Sequence, residues 1–387
     1  MRVSIAAAAG GRQADASIGD KLRHLNWGMV LLVCAVGGIG FAMLYSAANG
    51  RFDPWASRQI MRFAVGLTVM LAVAVVDLRF WLKHAYTVYA VTFALLIFVE
   101  VAGDIGMGAR RWIDLGVFQL QPSEVMKVAL VLALARYFHR LGVEEVGRPM
   151  RLAWPVLLVL APALLVLRQP DLGTAGMLLL VGAAMLFVAG VRLWKFALVG
   201  LAGIGAVPVA WSLLRDYQRQ RILTFFNPEN DPLGAGYHIL QSKIAFGSGG
   251  LFGKGFLQGT QSHLSFLPER QTDFIFTMLA EEFGLAGGLV LLGLYLLLFI
   301  YGFAIALRSR NHFGRLVAIG VTANLFLYVF INAAMVMGLI PVVGVPLPLI
   351  SYGGTAMMTV LVGCGLAMSA YVHRDLRIGR HGVGEDG

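Results

Sequence analysis

The stretch S-H-L-S-F-L-P-E-R-Q-T-D-F-I-F-T-M-L-A-E-E-F-G, Ser262 to Gly284, decides how the rest of the chain is read. A polar, charged loop runs directly into a long apolar segment, and Asp273 stands at the join. An ionisable residue at the edge of hydrocarbon is costly and by default marks a functional site. A local reading competes with that one. Thr272 and Asp273 both suit the positive N-terminal end of a helix. Glu269 and Arg270 just upstream, and Glu281 and Glu282 within the same apolar run, weigh toward function. Partial dehydration makes a carboxylate a better proton acceptor, as a general base requires. Glu281 and Glu282 lie about two turns deeper, where closing hydrogen bonds between helices is their alternative role.

The sequence around this stretch is that of a membrane protein. Of 387 residues, 58% are apolar and only 13% charged, which excludes a set of ordinary soluble domains. Apolar runs of roughly membrane-spanning length fall near 27–48, 60–77, 85–103, 152–168, 172–190, 193–214, 274–306, 314–338 and 349–372. A weaker tenth, near 123–138, has Glu124 and Lys127 at its start. Backbone in lipid has no outside partner, so each run must be helical. The net charge of +10 does not point to nucleic acid, because Lys and Arg are spread through short loops. With the N-terminus inside, 18 of the 31 Lys and Arg fall on the cytoplasmic side. The short outer connections hold only Arg51, Arg58, Arg62, Arg110, Arg111 and Arg168. The expected fold is an all-α polytopic membrane protein with ten transmembrane helices and both termini cytoplasmic. Residues 1–24 read as a disordered tail, 25–373 as the membrane domain and 374–387 as a second tail. A large outer loop, 215–271, joins spans seven and eight. Cys34 and Cys364 lie inside apolar runs and imply no disulfide framework.

Within the long loop, 236–246 has helical spacing with Ile239, Ile244 and Phe246 set against Gln241, Ser242 and Lys243, a pattern for a helix in the membrane interface. The glycine-rich bend at 247–256 is not a phosphate loop, since Gly255 rather than Ser or Thr follows Lys254. It reads as a tight turn packed against lipid.

Polar clusters converge on the expected outer side: G-A-R-R-W-I-D-L at 108–115, Q-P-S-E-V-M-K at 121–127, R-Q-P-D-L-G-T at 168–174, P-E-R-Q-T-D-F at 268–274 and P-L-P-L-I-S-Y-G-G-T at 346–355. Glu124 and Lys127 are three apart and share a helix face. They form an intrahelical ion pair, or else supply a carboxylate for a base or metal and an ammonium for phosphate. Arg110 and Arg111 either hold lipid headgroups or clamp a diphosphate, for which the guanidinium fork is suited. Gln169 and Asp171 flank Pro170; Asp171 either caps the helix starting near Leu172 or lines the site with Gln169. Ser351, Tyr352, Gly353 and Gly354 form a polar floor or a simple loop. Glu269, Arg270 and Ser351 join the candidate substrate contacts.

The runs Q-P-S-E-V-M-K, R-Q-P-D-L-G-T, F-L-P-E-R-Q-T-D-F-I-F and I-P-V-V-G-V-P-L-P-L-I-S-Y-G-G-T resemble those of the SEDS (shape, elongation, division and sporulation) membrane proteins, in the same order and over the whole chain after the tail. V-G-V-P-L-P-L-I-S-Y-G-G and Y-Q-R-Q-R-I-L-T-F-F-N-P are closer to the RodA branch than to the FtsW branch. The resemblance implies a peptidoglycan glycosyltransferase in the bacterial inner membrane, polymerising lipid II into glycan on the periplasmic face during rod-shape elongation. It implies a class B penicillin-binding protein as partner, with MreC, MreD and RodZ in the same complex. It maps the family's essential aspartate onto Asp273 and its glutamate and lysine onto Glu124 and Lys127. A divalent cation (Mg or Mn) is expected to share the diphosphate with Glu124, with no organic cofactor. The rivals are a lipid II flippase, which predicts charges on both sides of the midplane, and a non-catalytic scaffold, which leaves the buried carboxylates without a purpose.

Overall fold

The computed structural model describes residues 17–376 and 378–379, apart from 107–108, 115, 117–118, 143, 214–215, 228–234, 265 and 267–268. The chain runs through α1 (Ile18–Arg23), α2 (Trp27–Ala47), α3 (Ala56–Val75), α4 (Leu78–Ala102), β1 (Asp104–Gly106), β2 (Ala109–Asp114), β3 (Gln119–Leu120), α5 (Pro122–Arg140), α6 (Pro149–Arg168), α7 (Leu172–Val188) and α8 (Leu193–Leu213). It continues through α9 (Asp216–Phe226), α10 (Ala235–Ser248), α11 (Thr260–His263), α12 (Ile275–Arg308), α13 (His312–Val336) and α14 (Gly354–Val372). Among the described residues seven helices, α2, α3, α4, α6, α12, α13 and α14, are long and apolar enough to cross a membrane. Helix α7 and the Leu193–Pro208 part of α8 are shorter apolar stretches.

Helix α5 is the axis of the bundle. It packs against α4, α6, α7, α13 and α14, and Ala129 to Ala135 are all at most 1% exposed. Its weak apolar signal in the sequence comes from Glu124, Lys127, Arg136 and Arg140. Protein rather than lipid surrounds its middle, so its charged first turn needs only protein partners.

Helix α12 is broken. Gly284 has φ 67° and ψ −162°, outside the helical region. The glycine-rich turn fills the break: Lys254 and Gly255 donate to the carbonyls of Glu281 and Glu282 (both 3.0 Å), and Leu285 and Ala286 donate to Gly250 and Leu251 (both 3.0 Å). Irregular backbone is tolerated near a membrane when protein satisfies it. The turn's backbone therefore packs on α12 rather than on lipid, while Leu251 and Phe252 point outward, 66% and 83% exposed.

Further expectations change. A small antiparallel sheet of order β1-β2-β3 occupies 104–120, where the sequence suggested only helices and loops. The tail expected to be disordered ends in a helix, α1, which Ser17 caps by accepting from Asp20 N; residues 1–16 lie outside the described part. Helix α10 does not divide its faces as the spacing suggests: Ser242 is fully buried and bonds Thr277 Oγ1 (2.8 Å) and Val336 O (2.6 Å), whereas Ile244 is exposed. A hydrogen bond to a carbonyl of α13 outweighs the apolar spacing there.

Candidate functional site

Among the long helices, α3, α5, α7, α12 and α14 begin at the Asp273 end of the bundle. Hydrogen bonds stitch their starts together. Gln59 of α3 donates to Ser351 O (2.9 Å), and Thr355 of α14 donates to Gln119 O (2.6 Å) and accepts from Gln121 N (3.3 Å). Asp171 caps α7 by accepting from Thr174 N (3.0 Å). The starts of α3, α5, α12 and α14 have no capping side chain. Their positive dipole ends are thus directed at one region, a setting that favours an anion.

Asp273 immediately precedes Phe274, the N-cap residue of α12. Thr272 turns its hydroxyl back to Glu269 Oε2 (2.9 Å). Two segments hold the Asp273 loop. Asn332 of α13 donates to Asp273 O (2.9 Å), and the loop 341–353 grips it through Ser351 Oγ to Thr272 O (2.6 Å) and Tyr352 N to Gln271 O (2.8 Å). The carboxylate lies beside Gly344, where an added Cβ would stand 3.5 Å from Asp273 Oδ2. Asp273 is half-buried.

Glu124 and Lys127 come together as the spacing suggests. Lys127 Nζ is 2.6 Å from Glu124 Oε1, and both side chains are nearly sealed from solvent. Tyr328 of α13, which carried no sequence signal, completes the unit: its hydroxyl donates to Glu124 Oε2, and Lys127 Nζ lies 4.3 Å from its ring centre. Tyr328 and Asn332 are one turn apart on α13, about 6 Å along the axis. One turn of one helix thus holds both the Glu124 unit and the Asp273 loop.

Arg111 works as a brace. Its guanidinium donates to Gln169 O (3.0 Å) and Pro170 O (2.5 Å) and approaches Asp171 Oδ2 at 4.0 Å, with 28% of its side chain exposed. Gln169 is buried and donates to Leu96 O (3.1 Å). Gln169 and Asp171 therefore shape the turn between α6 and α7. The side chain of Arg110 lies outside the described residues. Glu269 folds onto Thr272 in a strained turn, φ 54°. Arg270 is half-buried, and that burial pushes its pKa below the ordinary guanidinium value. Ser351 accepts from Leu347 N (2.7 Å) besides holding Thr272. Ser351→Ala should therefore lower stability by about 1–3 kcal/mol, read as a fall in thermal unfolding temperature in detergent.

The carboxylates of α12 close hydrogen bonds between segments. Glu281 accepts from Lys254 (2.8 Å) and Gln261 N (2.9 Å), and Glu282 from Ser46 (2.5 Å). His263 lies 3.2 Å from Glu282 and 2.6 Å from Asn49. Both carboxylates fasten the long loop to the break.

A family model described as cell cycle protein, embracing FtsW, RodA and SpoVE, matches residues 24–376. The chain belongs to the SEDS family. Among SEDS relatives, the peptidoglycan glycosyltransferase MrdB of Escherichia coli (strain K12) is 46% identical over 361 residues, 92% of this chain and 96% of that protein. The peptidoglycan glycosyltransferase RodA of Treponema pallidum is 33% identical, covering 88% of this chain and 96% of its own. Among solved structures, a chain from a peptidoglycan synthase complex that coordinates polymerization and crosslinking aligns with a TM-score of 0.76 at 36% identity, over 91% of this chain and 98% of that one. RodA of Thermus thermophilus aligns with a TM-score of 0.69 at 33% identity, over 90% of this chain and 97% of that one.

Proposed function

We propose that this SEDS protein is a peptidoglycan glycosyltransferase that polymerises lipid II, with Asp273 as the general base. Transfer from a polyprenyl diphosphate donor needs a proton acceptor at the attacking 4-hydroxyl of GlcNAc and positive potential at the departing diphosphate. The observation that carries the reading is the half-buried Asp273 carboxylate at the end where α3, α5, α12 and α14 begin uncapped. Asp273 takes the hydroxyl proton as the new C–O bond forms. The diphosphate leaves toward the helix ends and the partly exposed Arg111 and Arg270. Lys127 acts from behind, its charge already matched by Glu124.

The described residues do not fit a divalent ion on Glu124. Both of its oxygens are occupied, by Lys127 and Tyr328, and among the described residues no three His, Cys, Asp or Glu stand together. No step is routed through a metal.

The polymer would grow on the periplasmic face of the bacterial inner membrane, from a chain of ten spans in which α5, α7 and α8 join the other seven. A class B penicillin-binding protein is the proposed crosslinking partner, with MreC, MreD and RodZ in the same assembly. Incubating purified protein with labelled lipid II tests the core of this. Glycan ladders are expected; unchanged monomer, with and without the partner, would refute the activity.

A further inference from the structure

Asn332 is fully buried in the middle of the site, and both hydrogens of its amide are used. Nδ2 donates to Asp273 O (2.9 Å) and to Val345 O (2.7 Å). The amide orientation is dictated by these contacts, since a flipped amide would set its oxygen against two carbonyls. The buried Oδ1 is left without a hydrogen-bond partner, so the side chain has given up one of its own bonds to hold two loops. An unmatched buried acceptor is costly. Val345 follows Gly344, the residue beside the Asp273 carboxylate, and Val343 N reaches back to Met335 of α13 (3.4 Å to sulfur). One turn before Asn332, Tyr328 holds Glu124.

We propose that Asn332 is a positioning residue for glycosyl transfer: it sets the register of the segments 269–274 and 341–353, and Tyr328 ties that register to the buried Glu124–Lys127 pair through one turn of α13. The inference rests on Asp273 being the base. Neither Asn332 nor Tyr328 touches substrate in this scheme; both act through the groups they hold. A carboxylate displaced by about 1 Å loses up to roughly 100-fold in rate, so the effect falls on kcat.

The test uses purified full-length protein and lipid II. Asn332→Asp keeps the shape but replaces the donor, and should lower kcat about 100-fold with KM for lipid II changed less than about threefold. Tyr328→Phe removes one hydroxyl and leaves Lys127 on Glu124. It should lower kcat about tenfold and raise backbone hydrogen exchange in 269–274 and 341–353, segments to which Tyr328 shows no hydrogen bond. The two substitutions together should be less than multiplicative. Unchanged kcat in Asn332→Asp, a rise in KM alone, or multiplicative effects would overturn the proposal. So would unaltered exchange in Tyr328→Phe, a readout that decides even if Asn332→Asp fails to fold. Should the wild-type protein make no polymer, the glycosyltransferase reading fails, while the exchange measurement still judges the coupling between the two segments and Tyr328.

Discussion

Asp273→Asn should abolish glycan synthesis, by about 10³-fold or more, and leave the fold intact. The amide has the size and shape of the carboxylate. The backbone of the loop has holds of its own, because Asn332 grips the Asp273 carbonyl, Ser351 grips Thr272 O and Tyr352 grips Gln271 O. What disappears is the ability to accept a proton, a contribution of about 10²–10⁴ in rate, together with a negative charge opposite the developing oxocarbenium. The measurement pairs polymerisation of labelled lipid II with the thermal unfolding temperature of the same preparation. Full activity in Asp273→Asn removes the residue from the chemistry. Inactivity with a large drop in unfolding temperature assigns it a structural role instead. Asp273→Glu should also be impaired, since one added methylene moves the carboxylate by more than the tolerance of an aligned reaction.

The sequence was most informative where one residue's neighbours along the chain also surround it in space. Glu124 and Lys127 share a helix face at three-residue spacing, and they meet at 2.6 Å. Asp171 precedes an apolar run and caps it. The spans were legible because length and apolarity are local properties, with α5 weakest because protein shields its charges. The site's remaining parts were not legible. Tyr328 and Asn332 lie within an apolar stretch of α13, and only its packing against α5 and the Asp273 loop shows what they hold. Ser351 and Gln169 read as candidate substrate contacts because polar residues at span ends suggest a cavity. In the fold they are consumed by backbone carbonyls and amides, whose demand for partners sequence spacing cannot display. Arg111 is partly of this kind, bracing the turn that carries Asp171 while keeping a fraction of its surface exposed.

The apolar run after Asp273 forms one long helix, as its length implies, but the helix is in two pieces. From Leu285 to Arg308, α12 has 24 residues, about 36 Å of helix and enough on its own to span about 30 Å of hydrocarbon. The preceding piece, Ile275 to Glu282, is buried throughout. It is an arm that carries the Asp273 loop, and Gly284 is the joint between this arm and the rest of α12. The joint depends on glycine twice over. The φ/ψ pair at Gly284 is essentially closed to other residues, and an added Cβ would stand 2.4 Å from Gly253 N and 2.6 Å from Leu251 C. Gly253 has the same difficulty from the other side, with φ +81° and a Cβ position 2.1 Å from Glu282 O.

Gly284→Ala should therefore be among the most damaging single substitutions in the chain. Backbone strain contributes about 1–3 kcal/mol, and prying the turn from α12 endangers four hydrogen bonds, from Lys254, Gly255, Leu285 and Ala286, that satisfy the break. A total above about 4 kcal/mol belongs to the exceptional range for point substitutions, so the variant should fail to accumulate in membranes or unfold at much lower temperature. Gly293→Ala, on the same helix with nothing within 4 Å of its Cβ position, is the matched control and should be neutral or slightly stabilising, by up to about 1 kcal/mol. Equal stability in the two variants would mean that the break is dispensable and that α12 can straighten. In that event the arm could rotate as one rod with the span, and the register in which Asn332 and Ser351 hold Asp273 would have no fixed base beneath it. A large loss confined to Gly284→Ala would identify the glycine turn as the buttress on which the Asp273 loop stands.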